Sequence, residues 1–221
     1  MTSSNGKKRI VLVHPRGFNW FPGKTDITDI ANRMVPQGIL SIAAYLEKEG
    51  HEVFVYDCLG PKAPVDLDEQ VQAILAYSPQ IAGFSATTSS FPDAAALAQK
   101  IKEQSPSIIT VCGGVHVSAL AGRLLTDYPS LDYLVAGEGE LTMAELAAGL
   151  DAAEIKGLIW RKGTQVIANE PRPQIADLDS LPFPAYEKLT GFPHDYHLPL
   201  FSYREEKGTV LIKCGWRKAI L

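Results

Sequence analysis

Five short, continuous apolar runs recur along the first two thirds of the chain, each followed by a stretch of different periodicity. Ile10-Val11-Leu12-Val13, Val53-Phe54-Val55-Tyr56, Ile81-Ala82-Gly83-Phe84, Ile108-Ile109-Thr110-Val111 and Tyr133-Leu134-Val135 lack the polar alternation of a strand with one wet face. Each therefore reads as a strand covered on both sides. Between the first two, Pro36 suits a first helical turn, Ile39, Ile42, Ala43 and Leu46 form one face, and Gly50 closes the helix. Further helices are expected over 67–77, 92–104, 119–128 and 141–150. Strands separated by helices fold through right-handed crossovers into a parallel sheet. The pattern predicts an α/β, flavodoxin-like (Rossmann-like) five-stranded parallel sheet of order 2-1-3-4-5. Its ligand edge lies where the order reverses, beside Ser85.

The last third is different. Ile155 to Trp160 and Gln165 to Asn169, joined across Lys162-Gly163, predict a C-terminal β-hairpin. Beyond it Pro171, Pro173, Pro182, Pro184, Pro193 and Pro199 forbid long helices. Interleaved Phe183, Tyr186, Phe192, Tyr196 and Phe201 are foreign to a solvated linker. This Pro-rich tail needs a surface to lie on, either its own domain or a second copy in a homodimer. The expected division is an α/β domain over 1–150, a hairpin over 151–170, and a Pro/aromatic segment over 171–221.

Charge and cysteine usage exclude several classes. The formal net charge of −4 leaves no basic footprint for nucleic acid. No apolar run approaches the ~20 residues of a membrane span. Cys58, Cys112 and Cys214 are too scattered for a disulfide framework, so a soluble, cytoplasmic protein is expected.

Chemistry-bearing residues gather at the carboxyl ends of the runs. The third ends in Ser85-Ala86-Thr87 and the fourth in Gly113-Gly114-Val115-His116. Hydroxyls there can bond a buried heteroaromatic nitrogen or a sugar oxygen, or simply cap the next helix. The glycine pair is either a tight turn or a gap free of side chains. Gly137-Glu138-Gly139-Glu140 lacks the third glycine of a dinucleotide loop and carries two carboxylates that repel pyrophosphate. The 14–35 connection is long for its kind and carries His14, Arg16, Phe18, Asn19, Trp20 and Phe21. His14 reads either as a polar strand-end residue or as a ligand or base. Leu12-Val13-His14 offers no acidic cluster of a response regulator, and no Ser-His-Asp or Cys-His arrangement follows from spacing.

Taken in order, several of these stretches resemble one family. They are Pro36-Gln37-Gly38-Ile39-Leu40, Gly50-His51-Glu52-Val53, Ser85-Ala86-Thr87, Gly113-Gly114-Val115-His116, Asp132 to Glu140, and Asp177 to Tyr186. Together they resemble the amino-terminal cobalamin-binding domain of cobalamin-dependent radical S-adenosylmethionine enzymes. The resemblance implies a cofactor held base-off, its dimethylbenzimidazole tail slid beside the sheet. Ser85 and Thr87 then line the slot and Gly113 and Gly114 leave room for the ring. Val115, His116, Gly137 and Glu138 are implied as further cofactor-binding positions. A leucine at Gly114 is expected to block the slot with little loss of fold.

Two departures sharpen the expectation. Stand-alone cobalamin carriers place Asp-x-His-x-x-Gly before the first helix, and aligning on Gly38 puts Arg33 and Val35 at the aspartate and histidine. No histidine is expected under cobalt. Cys214 fits the first ligand of the family's Cys-x-x-x-Cys-x-x-Cys triplet, but Lys218 and Leu221 take the other two places, and neither side chain offers a thiolate. No iron–sulfur cluster is expected in this chain, which reads as truncated before or within that motif. A radical barrel would then act in trans. A scaffold or protein-interaction domain that kept the fold without the ligand is the alternative reading.

Overall fold

A computed structural model describes residues 6–17, 35–120 and 122–196. Strands β1 (Arg9–His14), β2 (Glu52–Asp57), β3 (Ile81–Ser85), β4 (Ile109–Gly113), β5 (Tyr133–Val135), β6 (Leu158–Lys162) and β7 (Gln165–Ala168) form one sheet of order β2-β1-β3-β4-β5-β6-β7. The first five are parallel, in the expected order 2-1-3-4-5. The sheet nevertheless has seven strands rather than five. The hairpin does not stand apart: β6 pairs antiparallel with β5, Tyr133 opposite Trp160 and Val135 opposite Leu158, and β7 pairs with β6. An otherwise open edge at the three-residue β5 is covered this way.

β1 explains why the sheet is buried on both faces. Val11 and Val13 point into one apolar cluster, Ile10 and Leu12 into the other, and all four are buried. Helices α2 (Leu67–Leu75), α3 (Phe91–Gln104), α4 (Val115–Leu120) and α5 (Arg123–Asp127) follow β2, β3 and β4. Val71, Ile74, Leu97, Ile101, Val117 and Leu125 pack them on the first face. Asp66 caps α2 by accepting from the backbone N–H groups of Asp68 and Glu69 at 2.9 and 3.0 Å. The single helix expected over 119–128 is two short ones, α4 beginning directly after Gly114 and α5 after Gly122.

The second face is covered by α1 (Gln37–Lys48), α6 (Glu140–Ala147) and the proline-rich segment. Leu40, Ala43 and Leu46 of α1 and Met143 and Ala147 of α6 share a core with Ala185, Leu189 and Tyr196. Residues 171–196 lie across these helices as a strap. The Ala185 N–H donates to the Leu40 carbonyl at 3.1 Å, the Lys48 ammonium to the Ser180 carbonyl at 3.0 Å, and the Lys188 ammonium to the Val53 carbonyl at 2.9 Å. Arg172 donates to the Thr142 hydroxyl at 2.8 Å and pairs with Glu145. Of the two surfaces expected for the tail, this part takes its own domain. Residues 197–221, with Cys214, Lys218 and Leu221, lie outside the described residues.

Candidate functional site

Parallel strands side by side put their carboxyl ends on one edge, and here two rows of residues there share a face. Leu12 pairs with Gly83 and Gly83 with Val111; one step nearer the edge, Ser85 pairs with Gly113 and Gly113 with Val135. These rows floor a groove of about 250 Å3. Its walls are Gly38, Ile39 and Ile42 of α1 and Gly139, Glu140 and Met143 near the start of α6. The absent side chains make the depth. A Cβ on Gly83 would lie 2.9 Å from Leu12 Cδ2 and 3.5 Å from Met143 Cε, closing the floor against the wall.

Polar groups are few and placed at the ends. Among the described residues the Ser85 hydroxyl has no hydrogen-bond partner, although it lines a mostly apolar surface. Glu138 and Glu140 stand together at the α6 side. Glu140 accepts from the Ser41 hydroxyl at 2.7 Å, and Glu138 accepts from the Ile175 N–H of the strap at 2.7 Å. Such a groove suits a flat, mostly apolar group with one polar contact. At about 250 Å3 it is smaller than the ~300–1,000 Å3 of a pocket that swallows a whole drug-sized ligand. It fits one arm of a large molecule, the rest lying outside the sheet edge. Among the described residues no side chain plugs it, so its residues fit the benzimidazole arm that the resemblance implies.

Of the residues expected at a cofactor site, Ser85, Gly113, Gly114, Gly137 and Glu138 line this groove together. Thr87 is turned elsewhere: its hydroxyl bonds those of Ser89 and Ser90 at 3.1 Å each, and its N–H donates to the Ser90 hydroxyl at 2.9 Å, in the turn before α3. His116 packs its ring on Phe91 at 4.5 Å and meets the Thr88 hydroxyl at 3.2 Å, on the first face. Val115 is 70% exposed at the start of α4. Val35 is half-buried against the second-face core just before α1. Phe18, Asn19, Trp20, Phe21 and Arg33 lie outside the described residues.

Gly114 needs a correction. It has φ +106, and a Cβ there would sit 2.5 Å from the Ala86 carbonyl oxygen and 2.9 Å from the Ala86 nitrogen. Its missing side chain makes way for the backbone leaving β3, while the residue itself also lines the groove. Leucine at 114 would therefore strain the fold before it blocked the groove. Gly113, where an added Cβ would meet only Val135 at 3.4 and 3.6 Å, is the side-chain-free position in the outer row of the floor.

Leu12, Gly83, Ile39, Ile42 and Met143 are the lining residues that sequence reasoning missed, because each looks like ordinary core. Gly83 carried the one usable signal, a lone glycine inside a strand pattern, which marks close approach of another group. The buried cysteines take no part. Burial raises the Cys58 thiol well above its usual range and pushes Cys112 up to about 12, so both remain protonated and unreactive. Among the described residues no group of three His, Cys, Asp or Glu could hold a metal ion, and no helix is long and apolar enough to cross a membrane.

Known proteins resemble this chain in sequence and in fold. The B12 binding domain family matches residues 23–147, more than half of the chain. An anaerobic magnesium-protoporphyrin IX monomethyl ester cyclase from Synechocystis sp. is 35% identical over 66% of this chain and 30% of its own length. An uncharacterized methyltransferase from Pyrococcus horikoshii is 30% identical over 82% of this chain and 39% of its own. The chain thus spans roughly a third of these relatives. Among solved structures, the radical S-adenosylmethionine methyltransferase TsrM from Kitasatospora setae, with cobalamin and a [4Fe-4S] cluster bound, superposes with a TM-score of 0.61 at 22% identity. That match covers 83% of this chain and 32% of TsrM. Groove, sheet order and family match agree: the chain belongs to the B12 binding domain family.

Proposed function

We propose that this chain holds cobalamin base-off and without a histidine under cobalt, as the cofactor domain of a radical S-adenosylmethionine methyltransferase-type enzyme. The observation that carries the reading is the open, mostly apolar groove floored by Gly83 and Gly113, with at its edge the Ser85 hydroxyl, which has no partner among the described residues. In this reading the benzimidazole arm lies over Gly113 between α1 and α6, and Ser85 donates to its ring nitrogen. The apolar Val35 stands where a carrier has its histidine ligand, which supports the His-off state. When bound, the corrinoid supplies methyl-carrying cobalt chemistry; the residues here bind, orient and shield it.

Residues 1–150 then form the cofactor unit, 151–170 the hairpin and 171–221 the segment leading to a radical barrel, which contributes the iron–sulfur cluster in cis or in trans. The unbridged Cys58 and Cys112 accord with a reducing cytoplasm. The test is retention. Protein mixed with hydroxocobalamin and desalted should keep the cofactor and show the absorbance of a base-off form. Colourless protein would leave the ligand-free scaffold as the function, and a base-on spectrum would refute the use of the groove.

A further inference from the structure

On the same face, at the β1 side of the groove floor, β1 and β2 end side by side in His14 and Asp57. The Asp57 carboxylate is only 3% exposed and takes three donors: the His14 Nδ1 at 2.9 Å, the Leu59 N–H at 3.0 Å and the Tyr196 hydroxyl at 2.8 Å. His14 is 25% exposed, and Asp57 is its side chain's one hydrogen-bond partner among the described residues. Leu59 and Tyr196 fix the buried carboxylate, and the carboxylate in turn orients the imidazole through Nδ1.

His14 lies on the groove's face of the sheet, level with its outer row. Val13 pairs with Phe84, so His14, the next residue of β1, stands level with Ser85, which pairs in turn with Gly113 and through it with Val135. With Nδ1 tied to Asp57 of β2, Nε2 is the ring nitrogen left without a partner among the described residues. Charge separates the two ends of the row. Glu138 and Glu140 line the α6 end and repel an anion there. His14 stands at the β1 end, and as an imidazolium it donates from both nitrogens.

Resting on the function proposed above, we propose that His14 donates through Nε2 to the phosphodiester that links the corrin ring of bound cobalamin to its benzimidazole arm. Asp57 is its positioning residue, and Tyr196 ties the pair to the strap. The phosphodiester is the one anion on the cofactor's tail, and at the β1 end the carboxylate, that of Asp57, is buried and already holds three donors.

The test titrates hydroxocobalamin, and cobinamide, which lacks both the phosphodiester and the base, into the full chain and follows absorbance. His14→Phe should weaken cobalamin binding roughly tenfold to a hundredfold, the range of a hydrogen bond to a charged group, while changing cobinamide binding less than about twofold. His14→Asn, which keeps a donor for Asp57 but loses the second one, should show the same selective loss and guards against misfolding of the first variant. Tyr196→Phe should give a smaller loss of the same selectivity. Wild-type cobalamin affinity in both His14 variants, or an equal loss for the two corrinoids, overturns the assignment alone. Wild-type protein that retains neither corrinoid overturns the proposed function and this assignment with it.

Discussion

Leucine in place of Gly113 would enter the groove from its floor. The bicyclic arm proposed to lie there is about the size of an aromatic side chain, which buries roughly 150–250 Å2. At about 25 cal/mol per Å2 this burial contributes about 4–6 kcal/mol, or roughly a thousandfold to ten-thousandfold in affinity. The protein without ligand should be spared. A Cβ at 113 lies 3.4 Å from the Val135 oxygen and 3.6 Å from Val135 Cβ, ordinary contact distances, and φ there is not in the left-handed region. The isobutyl group would occupy part of a cavity of about 250 Å3 that already exists. Absorbance titration with hydroxocobalamin, paired with thermal unfolding followed by circular dichroism, separates the two effects. Affinity should collapse while Tm holds or rises. Wild-type affinity with an unchanged base-off spectrum would show that the arm lies elsewhere, and the reasoning from the floor would be wrong. Gly38→Leu repeats the experiment from the wall, where an added Cβ meets nothing within 4 Å.

Gly114→Ala should do the opposite, lowering stability while leaving no side chain in the groove. A left-handed backbone position without glycine costs about 1–3 kcal/mol, and the clash with Ala86 adds to it. At roughly 2–4 °C per kcal/mol for a chain of this size, Tm should fall by at least several degrees, and an unchanged Tm would contradict the close approach. Ser85→Ala should weaken hydroxocobalamin binding about fivefold, one net hydrogen bond, whereas Thr87→Ala should leave affinity unchanged because its hydroxyl is engaged in the turn before α3. Equal losses in a titration of both variants would refute that division of labour.

The parallel order was legible because β1 through β5 are apolar on both faces, a pattern that few other elements share. The joining of the hairpin to β5 was not, since Leu158 and Ile159 read alike whether the hairpin stands free or extends a sheet. At the site, Ser85 and Gly113 could be read from their position at strand ends. The walls could not: Ile39, Ile42 and Met143 belong by composition to the core, and only the packing angle of α1 and α6 leaves them facing a gap. Gly114 shows the complementary failure. A sequence displays a missing side chain but not the sign of φ, so a backbone requirement and a ligand requirement look identical. The pair in His14 and Asp57 was half visible, its carboxylate hidden 43 residues away in sequence until the strands were set side by side.

The strap has a consequence for how tightly a ligand can be held. Its near end is moored to the groove rim through Ile175 and Glu138, its middle to α1 through Ala185, and its far end to β2 through Tyr196 and Asp57. α1 and α6 cannot spread without breaking such moorings, so the cleft keeps its width before any guest arrives. The ordering cost that a loose cleft would take out of each binding event is met once, when the chain folds. Cutting the strap should therefore speed dissociation even though most of its residues touch nothing in the cleft.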